Sequence, residues 1–185
     1  DTTAGGHDIL VFTPMNNTTG PVIIRYTLSD GLGGSASALA SVNILAINDA
    51  PVAINDSQHT LEDTAVTIDV LANDMDVDGD VLRISSAAAL DGLVSINADN
   101  SLTFIPKHDF TGGTSLSYIV VDGHGGISTA SVAVTITPVN DAPIAIDDFV
   151  QTLEDTVTLI NVLSNDTDAD ADELVITQVS TTSGW

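Results

Sequence analysis

Shifted by 92 positions (104 − 12, from the pair Phe12 and Phe104), the sequence lies on itself without a gap. Pro14, Gly20, Tyr26, Asp30-Gly31 and Gly33-Gly34 return as Pro106, Gly112, Tyr118, Asp122-Gly123 and Gly125-Gly126. Asn48-Asp49-Ala50-Pro51 returns as Asn140-Asp141-Ala142-Pro143, and Leu61-Glu62-Asp63-Thr64 as Leu153-Glu154-Asp155-Thr156. A fixed period of this length means tandem copies of one structural unit, which excludes any fold that cannot be stacked end to end. The two Asn-Asp-Ala-Pro segments mark the joints, because proline has no N–H to give a sheet ladder and pushes the residue before it into extended backbone. They divide the chain into residues 1–49, the second half of one repeat, residues 50–141, a complete repeat, and residues 142–185, the first half of a third.

Inside the complete repeat, β-branched and other apolar residues alternate with small polar ones, and no helical period appears. Ser131 to Thr137, S-V-A-V-T-I-T, has the pattern of a strand with one face on a core and the other in water. The pattern predicts seven strands, near 52–60, 65–71, 81–87, 92–97, 101–106, 114–122 and 127–139, with a hairpin turn at Asn97–Asn100 and a glycine turn at 125–126. Seven short strands in one unit make an all-β fold, a β-sandwich. Tyr26 and Tyr118 match across repeats and are expected in its core or at its corner.

The stretch Asn73–Asp80, N-D-M-D-V-D-G-D, recurs as Asn165–Asp172, N-D-T-D-A-D-A-D. It sets Asp74, Asp76, Asp78 and Asp80 at alternate positions of one short turn. Like charges ~4 Å apart repel by about 1 kcal/mol in water and by several times that in a partly desolvated loop. A hard divalent cation reverses the sign, and Ca2+, which takes roughly six to eight oxygen ligands in irregular geometry, suits such a loop best. A free-standing EF-hand loop is the rival reading, since Asp74 to Gly79 matches its first half. Its last position falls on Ser85, which cannot give the bidentate carboxylate that motif needs. Ala171 stands where the first loop has Gly79, so a turn needing positive φ would be strained in the third repeat.

Net charge is −23, with only Arg25, Arg83 and Lys107 as permanent cations, which makes duplex DNA and anionic membrane surfaces improbable partners. Of 26 acids only Glu62, Glu154 and Glu173 are glutamates, so the acids belong to turns and chelating loops rather than to helix faces. There is no cysteine, hence neither disulfide nor thiolate metal site. No apolar run is long enough to cross a bilayer and no secretory signal pattern is present, so membrane insertion is not expected and any export signal lies outside these residues. His7, His59, His108 and His124 do not recur and lack zinc-ligand spacing, which predicts surface or partly packed positions. No nucleophile elbow and no phosphate-cradling loop is present, so no catalytic residues are expected.

Taken in order, these signals resemble the cadherin-like repeats of large bacterial extracellular adhesins. The resemblance covers the whole chain and rests on four features: Asn-Asp-Ala-Pro at both joints, Glu-Asp-Thr after the first strand, the Asp-x-Asp loop, and Tyr118-x-x-x-Asp122-Gly123 before the last strand. It implies tandem seven-stranded Greek-key sandwiches of the cadherin-like or immunoglobulin-like kind, Ca2+ at the joints between repeats, a cell-surface location and a structural role without reaction chemistry. At the first joint it implies Asn48, Asp49, Asp74, Asp76 and Asp122 as ligands, with Asp80 in place of a cadherin Asn. At the second, Glu62 would meet Asn140, Asp141, Asp166, Asp168 and Asp172. Asp30 would serve an upstream joint and Glu154 a downstream one. The Asp-Arg-Glu motif of cadherins is absent. Asp109 is its nearest candidate and Asn17 replaces it one repeat earlier, which implies one or two ions per joint.

The expected partners are neighbouring copies of the same repeat. Asp1 and Trp185 both correspond to Leu93, so residues 1–49 and 142–185 together amount to one repeat. They would be completed either by covalent neighbours or head to tail by another copy, as a strand-complemented homopolymer or filament that rebuilds a calcium joint. A cell-surface or glycan ligand is a further expected partner. The alternative function, a carbohydrate-binding or accessory module of a secreted enzyme, needs an exposed aromatic platform from a chain with seven aromatic residues (Phe 4, Tyr 2, Trp 1).

Overall fold

The computed structural model describes residues 9–181; His7 and Trp185 fall outside them. Its elements are β1 (Gly20–Ser29), β2 (Ser35–Ile44), β3 (Asp56–Leu61), β4 (Val66–Ile68), β5 (Arg83–Ala89), β6 (Gly92–Ile96), β7 (Leu102–Pro106), β8 (Gly112–Val121) and β9 (Ile127–Thr137). Strands β3 to β9 are the seven expected of the complete repeat, and β1 begins and ends where β8 does at the repeat shift of 92 (112 − 20 and 121 − 29).

The repeat is a β-sandwich of a four-stranded sheet, β3-β9-β8-β5, and a three-stranded sheet, β4-β7-β6; β1 and β2 form a separate antiparallel pair. β3 runs parallel to β9, with Asp56 opposite Val132, while β4 and β6 flank β7 antiparallel. Alternate residues of each strand point to one side, and those sides make the core. Leu116, Tyr118 and Val120 of β8, Ala130, Val132, Val134 and Ile136 of β9, and Leu102 and Phe104 of β7 are all buried. The Tyr118 hydroxyl satisfies itself by donating to the Ile54 carbonyl at 3.1 Å. At the predicted hairpin turn, Asn97 N–H donates to Ser101 O at 2.8 Å and Asn100 takes a φ of 64°. The left-handed conformation at that corner suits asparagine.

The expected first strand, 52–60, is divided. Val52 exchanges two backbone hydrogen bonds with Met75 (2.7 and 3.1 Å), Ile54 N–H donates to Asp74 Oδ1 (2.7 Å), and Asn55 Oδ1 accepts from Ser131 N–H (2.9 Å). Each backbone group has to find a partner. Val52 and the Ile54 N–H find theirs in the acid loop, while Ala53 N–H donates to Ser128 Oγ (3.2 Å) and the Ile54 carbonyl accepts from Tyr118, so the ladder to β9 opens only at Asp56. In the third segment the bridge Ile144–Thr167 repeats Val52–Met75, but residues 148–153, the counterparts of β3, form no strand among the described residues.

By internal contacts the chain forms two compact units. One holds residues to Ile54 with Leu71–Ser86 and Tyr118–Ala130; the other holds Asn55–Val70, Ala87–Ser117 and the residues from Ser131 on. The first contains β1, β2 and the first joint with its acid loop, and the second contains the second joint with its acid loop. No helix among the described residues is long and apolar enough to cross a membrane.

Removing the Tyr118 hydroxyl leaves the Ile54 carbonyl without that donor, so Tyr118→Phe should cost about 1 kcal/mol. Tyr26→Phe, at the half-exposed counterpart, should cost nothing measurable. Urea melts of the two variants check the contrast; equal midpoints would remove this anchor from the account.

Candidate metal centres

At the first joint Asp76 starts a tight turn. Its Oδ1 accepts from Asp78 N–H (2.8 Å) and Asp80 N–H (3.4 Å), and its carbonyl accepts from Gly79 N–H (3.3 Å). Gly79 sits at φ 81°, a conformation in which only glycine is unstrained. The turn brings carboxylate oxygens of Asp76, Asp78 and Asp80 within 4.8 Å of one another. Asp76 Oδ2 is buried and receives no hydrogen bond among the described residues. An anionic oxygen so placed is costly unless a positive partner sits on it.

The joint backbone is tied to this turn. Asp49 N–H donates to Asp78 Oδ2 at 2.7 Å, and Asn48 Nδ2 donates to Asp122 Oδ2 at 2.7 Å and to the Asp49 carbonyl at 3.0 Å. Asp122 is 3% exposed and also accepts from the N–H groups of His124 (2.7 Å) and Gly126 (3.0 Å). The Asn48 amide holds its carboxyl below the usual carboxylate range; the N–H groups of His124, Gly126 and Gly125 add to this against the effect of burial. A Cβ at Gly126 would strike that carboxylate and come within 2.8 Å of Ala50 Cα, so the close packing of turn on joint needs glycine. His124 Nδ1 lies 3.0 Å from Asp80 Oδ2.

The second joint repeats the design and adds to it. Asp168 Oδ1 accepts from Asp170 N–H (3.0 Å) and Asp172 N–H (3.2 Å), and Asp141 N–H donates to Asp170 Oδ2 (2.7 Å). Asp168, Asp170 and Asp172 form one group with oxygens within 4.8 Å; Glu62, Asp141 and Asp170 form another, so Asp170 is common to both. Glu62 directly follows β3 of the complete repeat, is 5% exposed, and accepts the Val139 N–H on Oε1. Burial, then the charges of Asp109, Asp170, Glu62 and Asp63, push the Asp141 carboxyl above the usual range. Asp63, His108 and Asp109 make a further exposed group, in which His108 Nδ1 lies 2.6 Å from Asp109 Oδ1. That contact, with the charges of Asp109, Asp63 and Asp141, raises the His108 pKa.

Of the ligands expected from the sequence, Asp76 with Asp80, Asp168 with Asp172, and Glu62 with Asp141 are brought together. Asp74 and Asp166 each turn one oxygen to a backbone N–H, of Ile54 and Ile146. Asn48 and Asn140 act as donors through Nδ2, the latter to the Asp141 carbonyl at 2.8 Å. Asp49 joins its site through its N–H. Asp30 is cradled by Leu32 and Gly34 N–H (2.8 and 2.9 Å), which lower its pKa, and among the described residues neither it nor Glu154 belongs to an acidic group. Asp78 and Asp170, part of the alternating runs read from the sequence but absent from the ligand set that the resemblance implied, join these groups. His124 on Asp80 has no counterpart in the repeat and no sequence signal. Ala171 takes a φ of 61°, as the match with Gly79 required.

The profile of the bacterial Ig domain family matches residues 48–135 and, a second time, 140–185. The chain belongs to this family. Its bacterial Ig repeats are the cadherin-like or immunoglobulin-like sandwiches that the motifs resembled. No curated protein matches the sequence. Among solved structures, the bacterial Ig chain is similar to repeats EC1-2 of human mucin-like protocadherin (TM-score 0.48, 20% identity, 71% of this chain and 74% of that one). It is also similar to the human desmocollin-1 ectodomain (0.30, 12%, 68% and 28%) and to the endo-fucoidan hydrolase MfFcnA4 of glycoside hydrolase family 107 (0.38, 18%, 72% and 22%). It spans 22% of that hydrolase's length.

Two expectations follow from the geometry of these bacterial Ig loops. Ala171→Gly should stabilise the third-repeat turn by roughly 1 kcal/mol and Gly79→Ala should destabilise the first by a similar amount, both read from thermal melts. Asp141 behaves in the opposite sense to Asp122. Its raised folded-state pKa means a contribution that is favourable below the unfolded value and is lost as pH rises through the folded one. Asp141→Asn should therefore raise the neutral-pH melting temperature in chelator, where Asp141 only meets other negative charges. A lower melting temperature in chelator would contradict this.

Proposed function

We propose that the chain is a calcium-stiffened structural segment of an extracellular adhesin, stalk or filament, with Ca2+ held at the joints between repeats. The observation that carries the reading is the buried, unpartnered Asp76 Oδ2 within a turn that gathers three carboxylates. The donors are all oxygens, which suits a hard cation rather than zinc or copper. The first site would draw on Asp76, Asp78 and Asp80, with Asp74, Asp122 and the joint residues Asn48 and Asp49 beside them. The second would draw on Glu62, Asp141, Asp168, Asp170 and Asp172, with Asn140 and Asp166 beside them. A bound cation supplies the positive charge that lets these carboxylates share one turn.

The chain's own part is mechanical. Asp49 N–H on Asp78 and Asp141 N–H on Asp170 couple each joint to its loop, so a loop that is fixed also fixes the joint. Extracellular modules meet calcium at high concentration and use weak sites of about 10⁻⁴–10⁻³ M, which exposed loops of this kind can provide. No reaction chemistry belongs to this reading. The carbohydrate-binding alternative has less to stand on, since Phe104 and Tyr118 are spent in the core of the complete repeat and the exposed Phe12, Tyr26 and Phe149 lie in the other two segments.

Specific binding to the folded state adds about 2.7 kcal/mol at a hundredfold excess over Kd, whereas screening by salt is not ion-specific. Millimolar CaCl2 should raise the melting temperature well above that in NaCl of equal ionic strength, and Asp76→Ala should abolish most of the difference. Equal midpoints in the two salts would leave the acids as a solvated coat.

A further inference from the structure

The sequence contains four Asp-Gly pairs, Asp30-Gly31, Asp78-Gly79, Asp91-Gly92 and Asp122-Gly123. Such a pair can close on itself, because the glycine peptide nitrogen can attack the aspartate Cγ and glycine has no Cβ to shield that nitrogen. Three of the pairs are held against it. Asp122 is buried and its carboxylate takes the Asn48 amide and the N–H groups of His124 and Gly126. Asp91 Oδ2 accepts the Thr114 hydroxyl (2.8 Å), and Gly92 is packed so closely that a Cβ there would lie 2.3 Å from the Ile105 carbonyl oxygen. Asp30 Oδ1 is fixed by the N–H groups of Leu32 and Gly34. Asp78-Gly79 is open: both residues are exposed, and apart from its chain neighbours Gly79 has no atom within 4 Å of where a Cβ would stand. The Gly79 N–H is held by a long bond to the Asp76 carbonyl (3.3 Å), while the Asp49 N–H on Asp78 Oδ2 (2.7 Å) draws electrons from Cγ.

We propose that Asp78-Gly79 is a site of spontaneous isoaspartate formation, and that its conversion uncouples the first joint from its acid loop. The Gly79 nitrogen bonds to Asp78 Cγ, a Cγ–O bond breaks, and the nitrogen's proton leaves with that oxygen as water. Water then adds back at the Asp78 backbone carbonyl, whose bond to the Gly79 nitrogen breaks. The main chain now runs through Asp78 Cβ and Cγ, and the former backbone carbonyl carbon carries the free carboxylate. One atom is thereby added to a turn that is closed by Asp78 and Asp80 N–H on Asp76 Oδ1. The carboxylate is drawn back by one carbon from the Asp49 N–H, the bond that ties joint to loop. The second loop is an internal control. Asp170-Ala171 makes the same bonds, Asp170 N–H to Asp168 Oδ1, Ala171 N–H to the Asp168 carbonyl (3.2 Å) and Asp141 N–H to Asp170 Oδ2, but the alanine methyl shields the nitrogen. The site stands on this covalent chemistry alone. Only its protection by calcium rests on the proposed function, since a cation on Asp78 holds the carboxylate away from the Gly79 nitrogen.

The test is to hold the full chain warm at neutral pH for several weeks in chelator, measure isoaspartate by methyl transfer with an isoaspartyl methyltransferase, and locate it by tandem mass spectrometry of protease fragments. Isoaspartate should accumulate at residue 78 and not at 170, with the mass of the chain unchanged. Gly79→Ala should lose it, and Ala171→Gly, which relieves a positive φ and so keeps its loop folded, should gain it at 170. Saturating calcium should slow the conversion at 78; conversion at 78 that calcium leaves unchanged would still support the modification site and would count against a cation on this loop. Isoaspartate no more abundant at 78 than at 170 in the unaltered chain, or none gained at 170 by Ala171→Gly, would overturn the proposal.

Discussion

Mutual repulsion among alternating carboxylates is the constraint on which the joints of this protein depend. A run of aspartates at every second position has nowhere to relax, because its turn is closed by its own backbone: Asp78 and Asp80 N–H both bind Asp76 Oδ1. The same turn then reaches out. Asp78 takes the Asp49 N–H, Asp74 takes the Ile54 N–H, and Met75 pairs with Val52. Every one of these bonds draws the segment after the joint toward the acids. A stretch that is electrostatically unfavourable is thus also the one that decides where the first strand of the repeat begins.

The two joints differ in a way that bears on how they work. At the second, Glu62, just after β3, meets Asp141 and Asp170, and Asp109 with Asp63 adds further charge. At the first, Asn17 stands where Asp109 does one repeat on, with nearly the same left-handed backbone (φ 57° and 54°). The turn is retained and the charge is dropped.

Much of this was legible in the sequence because the governing interactions are local or periodic. Seven strands were readable from alternation, since residues such as Val132, Val134 and Ile136 bury one face of a single strand. The positive φ at Ala171 was readable from its match to Gly79. The break in the first strand at residues 52–55 was not, because it arises from hydrogen bonds to a loop twenty residues away (Ile54 to Asp74). The alternating run placed Asp78 and Asp170 in the acid loops, but the Asp-x-Asp pattern of the resemblance names two aspartates where the turn geometry gathers three. His124 meets Asp80 only through the fold, 44 residues apart in sequence.

Anomalous diffraction from crystals of the chain grown in calcium, or in a lanthanide of similar size, tests the central claim most directly. The account predicts density peaks within about 2.3–2.6 Å of oxygens of Asp76, Asp78 and Asp80 at the first joint. At the second joint it predicts them beside Glu62, Asp141, Asp168, Asp170 and Asp172. Well-ordered acid loops without a peak at either joint, in crystals grown at saturating calcium, would contradict it.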